Sequence, residues 1–73
     1  MNNDDLAAIY AYVKDNPGSY GYLIALYHES FWDKFHTAIV LRCLWEEGYL
    51  RREEAQDKRF KYWAAKEFQN STP

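Results

Sequence analysis

The sequence contains few of the residues that build covalent frameworks or long apolar segments. It has one cysteine, two prolines and three glycines among 73 residues. A single thiol excludes an internal disulfide and is typical of a reducing compartment. The longest uncharged, largely apolar stretch, residues 18–27, is far shorter than a membrane span of roughly 20 residues. Because the first residues are acidic where a secretory leader is basic, we expect a cytoplasmic protein with no membrane contact.

Aromatic residues, by contrast, are abundant. Tyrosine, phenylalanine and tryptophan make up 19% of the chain, and each ring can bury roughly 150–250 Å². Such rings compensate for the small core that a chain of this length can form. We predict a single domain over residues 1–73, with a core from about 4 to 66 and a disordered tail from about 68 to 73.

The charges are unevenly distributed along the chain. The formal net charge is −2, but residues 1–33 hold one basic and five acidic residues. Residues 34–66 hold eight basic and five acidic residues, a balance of +3. This asymmetry indicates either a polyanion-binding half or a solvated surface of mixed sign.

Apolar periodicity and breakers predict two helices in the first half. The first begins at Asp4 or Asp5 and ends near Asp15, since Asn-Pro-Gly at 16–18 interrupts a helix. Ser19 then caps the second helix. Its predicted inner face is Tyr20, Leu23, Ile24 and Tyr27.

The second half predicts a third helix and a β-hairpin. After a turn at 28–30, the helix opens at Ser30 or Asp33 and runs to about Glu47, with Gly48 as a left-handed stop. Strands at 49–53 and 59–64 flank a turn at 55–58. The predicted inner face of the helix is Thr37, Ala38, Leu41, Leu44 and Trp45. The fold class is therefore α+β, mostly α, with a C-terminal hairpin.

This order resembles the winged helix-turn-helix domain. The segment "LRCLWEEGYLRRE" resembles the end of its recognition helix, and "DKRFKYWA" resembles the return strand of its wing. The matching positions are Leu41, Leu44, Gly48, Leu50, Arg51 and Arg52. The resemblance covers about residues 4–66, although the chain is about two residues longer before Thr37, so an extra helical turn is expected at 31–33.

The resemblance implies a transcription regulator that binds duplex DNA through the third helix and the wing. The implied contact residues are Lys34, His36, Arg42, Arg51, Arg52, Lys58, Arg59 and Lys61. Acidic neighbours in the hairpin would hold its arginines in cross-strand pairs or repel phosphate. One module recognises a short site, so we expect a homodimer that uses Tyr12, Tyr22 or the tail.

The third helix also carries an apolar ridge that duplex DNA does not explain. Phe35, Ile39 and Cys43 recur every four residues on the side opposite the leucines. Three interpretations stay open: core, protein interface or DNA contact. Trp32 and Trp63 are predicted to be packing residues, although Trp63 could instead be exposed and stack on a partner. The alternative function is accordingly a protein-binding winged helix, such as a phage or mobile-element modulator of a host factor.

Catalytic and metal-binding patterns are missing from the sequence. His28 and His36 are eight residues apart and lack cysteine or aspartate partners at zinc spacing. Ser19 and Ser30 show no specific histidine–acid pattern, and the glycines form no phosphate loop. We expect no enzyme activity, no cofactor and no metal; a structural or assembly role through aromatic contacts is the remaining hypothesis.

Overall fold

The computed structural model describes residues 3–27 and 34–68, with Asn3, Tyr27 and Lys34 described by backbone alone. Its elements are α1 (Asn3–Asp15), β1 (Ser19–Tyr20), α2 (Gly21–Tyr27), α3 (Lys34–Glu46), β2 (Leu50–Glu54) and β3 (Phe60–Ala64). The strands form one antiparallel sheet in the order β1–β3–β2. The predicted α+β class, with three helices and a hairpin, is confirmed in this described part of the chain.

Helix α1 follows its sequence signals closely. Two acids in its first turn and a lysine in its last turn complement the helix dipole. Leu6, Ile9, Tyr10 and Val13 recur at helical spacing, which predicts one buried stripe. The last three are buried in the main cluster, and Leu6 is partly buried against it. The helix ends at Asp15, after which the Asn16 N–H donates to the Tyr12 carbonyl over 2.9 Å.

The segment predicted to cap the second helix is a strand instead. Ser19 and Tyr20 form β1, which pairs antiparallel with β3. Gly18 aligns the chain for this pairing, since at φ +82° its N–H donates to the Tyr62 carbonyl over 2.9 Å. Pairing satisfies backbone groups along an edge of β3 that would otherwise be left open. The helix start therefore moves from Ser19 to Gly21.

Helix α2 packs through a different face from the predicted one. Ile24 is fully buried as expected, but Leu23 is 44% exposed and Ala25 takes the inner position. The cause is the close approach at Gly21, where an added Cβ would lie 3.1 Å from the Tyr62 ring. This contact centres the packed face on residues 21, 24 and 25.

The inner face of α3 is also rotated from the prediction. Thr37, Leu41 and Leu44 are buried as predicted. Ala38 is exposed and Trp45 is 38% exposed, whereas Val40 is fully buried. Because α3 packs against α1 as well as α2, its buried stripe extends towards α1.

The helix-to-hairpin connection forms as the sequence predicts. Gly48 has φ +85°; its N–H donates to the Trp45 carbonyl, and the Tyr49 N–H donates to the Leu44 carbonyl. This pair of hydrogen bonds is the Schellman motif, which requires a left-handed residue after the helix. The hairpin turn is closed by the Lys58 N–H donating to the Ala55 carbonyl over 2.9 Å.

The chain after β3 returns to the core. Phe68, placed in the tail by the sequence, packs its ring 5.5 Å from that of Tyr10 and 4.9 Å from that of Tyr49. The Tyr10 hydroxyl also donates to the Lys66 carbonyl over 2.7 Å. The predictions made for 28–33, including the turn, the helix start and Trp32 packing, and those for 69–73 lie outside the described residues.

Candidate functional site

Helix α3 directs its non-core residues to three different surroundings. Arg42 lines a groove on the side facing α2 and the hairpin. Phe35 and Ile39 face solvent, with exposed fractions of 80% and 51%. His36 lies on the side facing α1, where its Nε2 is 3.0 Å from Asp5 Oδ2. The surface predicted to contact DNA is thus divided, with His36 in a helix–helix contact.

The groove lies between α2, α3 and the hairpin and has a volume of about 480 Å³. Its charged lining consists of Arg42, Arg52 and Arg59, which come from α3, β2 and the hairpin turn. The remaining lining is aliphatic or aromatic, and no acidic side chain lines the groove among the described residues. Three cations in a largely apolar depression favour an anionic ligand.

Arg52 is the most enclosed cation of the groove. Its guanidinium carbon lies 3.6 Å from the ring centroid of Trp45 and 4.1 Å from that of Phe60. Such packing against aromatic rings is favourable for a guanidinium and limits its motion. No carboxylate of residues 3–27 or 34–68 lies within ion-pair distance of it. Its donors are therefore held in place without an acidic partner from this described part.

The other two arginines of the groove have local partners. Arg42 Nε lies 2.6 Å from Glu46 Oε1, one helical turn away. Arg59 lies 3.9 Å from Asp57 and 4.1 Å from the Tyr22 ring centroid. All these charged side chains are about half exposed or more, so the pairs are weak and can exchange for another anion.

The hairpin has two sides that divide its predicted basic residues. We call the side facing the helices, with Leu50, Arg52, Phe60 and Tyr62, the inner side, and the side with Arg51, Glu53, Lys61 and Trp63 the outer side. Arg51 lies 4.5 Å from the Trp63 ring and 2.7 Å from Glu53 of its own strand. Of the two expectations for the acidic neighbours, cross-strand pairing is not met for Arg51, which pairs with Glu53 of its own strand.

The remaining predicted contact residues fall at the margins. Lys58 is exposed at the hairpin turn, where it adopts φ +67°. Lys61 stacks on Tyr20 on the outer side, with 5.1 Å from Nζ to the ring centroid. The Lys34 side chain lies outside the described residues. Of the expected dimer contacts, Tyr22 lines the groove and Tyr12 packs against the core.

The apolar ridge of α3 is not part of the core. Phe35 and Ile39 are well exposed, and Cys43 is intermediate. The core interpretation is therefore wrong for the first two residues. A protein interface and a DNA contact both stay open, because large exposed apolar side chains one helical turn apart suit either partner.

Two aromatic residues that line the groove, Tyr22 and Phe60, are not predicted from the sequence to lie there. Trp45 does not line the groove but contacts Arg52, which does, and the sequence predicts Trp45 to be in the core. Strand alternation was the available signal, because it sets Arg52 on the same side as buried Leu50 and Arg51 on the other. The contribution of Trp45 depends on how α3 meets the hairpin, which no local pattern encodes.

No protein-family model, curated protein sequence or solved structure gives a significant match to this chain. Among the described residues, no helix has the length and apolar character needed to cross a membrane. Residues 3–27 and 34–68 also contain no group of three histidine, cysteine or acidic side chains arranged to hold a metal ion.

Proposed function

We propose that this chain is a small duplex-DNA-binding protein of the winged-helix kind, acting as a transcription regulator in the cytoplasm. The supporting observation is the convergence of Arg42 and Arg59, from α3 and the hairpin, at one groove beside the solvent-facing side of α3. The order of helices and the three-stranded sheet are compatible with that fold.

In this proposal α3 lies along the major groove and the hairpin turn contacts the neighbouring backbone. Arg42 contacts a base edge or a phosphate, exchanging its Glu46 partner for it, while Arg59 and Lys58 contact phosphate. The outer side of the hairpin, with Arg51 and Lys61, faces away from the duplex. One module covers a short site, so the proposal includes a homodimer on paired half-sites.

The test is a fluorescence-anisotropy titration of a labelled duplex at several salt concentrations. The double variant Arg42→Gln/Arg59→Gln should weaken binding and flatten the slope of log affinity on log salt by roughly 0.9 for each phosphate that is no longer neutralised. The matched control is Arg51→Gln/Lys61→Gln, which removes the same charge from the outer side and should leave the slope unchanged. Absence of binding at low salt, or equally weakened binding by both variants, would contradict the proposal.

A second candidate function is binding to another protein through the α3 ridge. The observation that favours it is the 80% exposure of Phe35 next to the 51% exposure of Ile39. Large apolar side chains that are exposed next to each other often mark a protein–protein interface.

The second candidate is tested by affinity capture with Ile39→Glu as the disrupting variant. Leu23→Glu is the matched control, since Leu23 is 44% exposed on α2, away from the ridge. A specific partner should be absent with Ile39→Glu and kept with Leu23→Glu. If both variants retain every captured protein while remaining folded, the ridge is not an interface.

A further inference from the structure

The groove between α2, α3 and the hairpin has the composition of a small-molecule site. It lies beside α3, the helix proposed to contact DNA. Its volume of about 480 Å³ lies within the range of roughly 300–1,000 Å³ that ligand sites occupy. Ligand sites combine an apolar lining with a few placed polar groups. Here the placed group is Arg52.

The charged side chains of the groove favour a ligand with one negative charge. Arg42 and Arg59 each have an acidic neighbour, Glu46 and Asp57, which neutralises part of their field. Arg52 has no such neighbour among the described residues and lies over the rings of Trp45 and Phe60. A guanidinium that packs on aromatic rings keeps its N–H donors at the edge of its plane, where they bind a carboxylate through two parallel hydrogen bonds.

The apolar lining of the groove indicates whether the apolar part of the ligand is aliphatic or aromatic. Two rings of the groove, Phe60 and Tyr22, already have a guanidinium over one face. The third ring of the lining, Tyr62, is only 6% exposed and packs closely against Gly21. The rest of the apolar lining is aliphatic, with Ala25, Leu26 and Leu41 as examples. A flexible alkyl chain fills an irregular aliphatic groove more readily than a rigid ring that needs a free aromatic face.

We propose that this groove binds a medium-chain aliphatic carboxylate, with its carboxylate on Arg52 and its chain along α2 and α3. The ligand contacts α2, α3 and the hairpin together, so it joins the elements that carry the proposed DNA contacts. The site itself does not depend on DNA binding, because it is defined by Arg52 and the apolar lining.

The test is a titration of the ¹⁵N-labelled protein with octanoate, followed by NMR without DNA. The backbone amide signals of groove residues, such as Ala25, Ala38 and Phe60, should shift. Hexanoate and butyrate should bind progressively more weakly, by about fourfold per methylene. Arg52→Gln should weaken octanoate binding about tenfold or more, whereas the matched control Arg51→Gln, one residue along on the outer side, should change it less than twofold.

Two further comparisons keep the result decisive. Octanol, which has the chain without the charge, should bind more weakly than octanoate, and acetate, which has the charge without the chain, should not bind measurably. Ala38→Phe fills the groove from an exposed position and should abolish octanoate binding. This variant provides the test if Arg52→Gln does not fold. Equal affinity for octanol and octanoate, shifts confined to Phe35 and Ile39, equal weakening by both arginine variants, or no octanoate binding would each overturn the proposal. Since no DNA is present, none of these outcomes affects the DNA proposal.

Discussion

The inner and outer sides of the hairpin carry the same kind of contact, an arginine over a tryptophan, in two different settings. Arg52 on the inner side stacks on Trp45 of α3 with 3.6 Å to the ring centroid. Arg51 on the outer side stacks on Trp63, its cross-strand neighbour, at 4.5 Å. The inner contact joins the hairpin to α3, whereas the outer one lies within the hairpin and follows from the strand register.

This difference separates residues that hold the hairpin against the helices from residues that only cover its exposed face. The inner side includes Leu50 and Tyr62, which are 2% and 6% exposed. The outer side offers half-exposed pairs, such as Arg51 with Glu53, whose attraction is screened by water. A basic hairpin is therefore not one charged surface, and its two sides should respond differently to mutation.

The largest expected effect tests whether the inner side anchors the hairpin. Leu50→Ala removes a side chain that is 2% exposed and should lower the free energy of unfolding by about 2–5 kcal/mol. Glu53→Ala, on the outer side of the same strand, should change it by less than about 0.5 kcal/mol. Urea denaturation of both variants measures the contrast. A destabilisation by Glu53→Ala as large as that by Leu50→Ala would remove the distinction between the two sides.

The same division explains how far the sequence could predict this molecule. Features that depend on neighbours along the chain were predicted, including the end of α1 at Asp15 and the stop at Gly48. Their causes are local, namely breaker residues and a left-handed backbone requirement. The hairpin and its turn were predicted for the same reason.

Features that depend on distant contacts were not predicted. Strand β1 exists because the edge of β3, far along the chain, accepts Ser19 and Tyr20. The buried stripe of α3 includes Val40 because α3 meets α1. The candidate site also depends on distant contacts. Each of its arginines was predicted as a contact residue, but their division between the groove and the outer side of the hairpin was not predicted.

A smaller effect is expected for the arginine–tryptophan contacts themselves, which two double-mutant cycles measure on the two sides of the hairpin. One cycle combines Arg52→Ala with Trp45→Ala, and the other combines Arg51→Ala with Trp63→Ala. The inner pair should show a coupling free energy of about 1–2 kcal/mol, because Arg52 is partly buried and its guanidinium carbon is closer to the ring. The outer pair should show about 0.5 kcal/mol, since the Arg51 side chain is 53% exposed.

Denaturation of the wild type and of the single and double variants yields both couplings under one set of conditions. Differences between the cycles are meaningful because both pairs join an arginine of β2 to a tryptophan, so the chemistry removed is the same. A larger inner coupling means that Arg52 is held in place before any ligand arrives, as the octanoate site requires. Equal couplings would mean that Trp45 adds nothing beyond what an exposed cross-strand neighbour adds, and Arg52 would then no longer qualify as a preorganised anion-binding group.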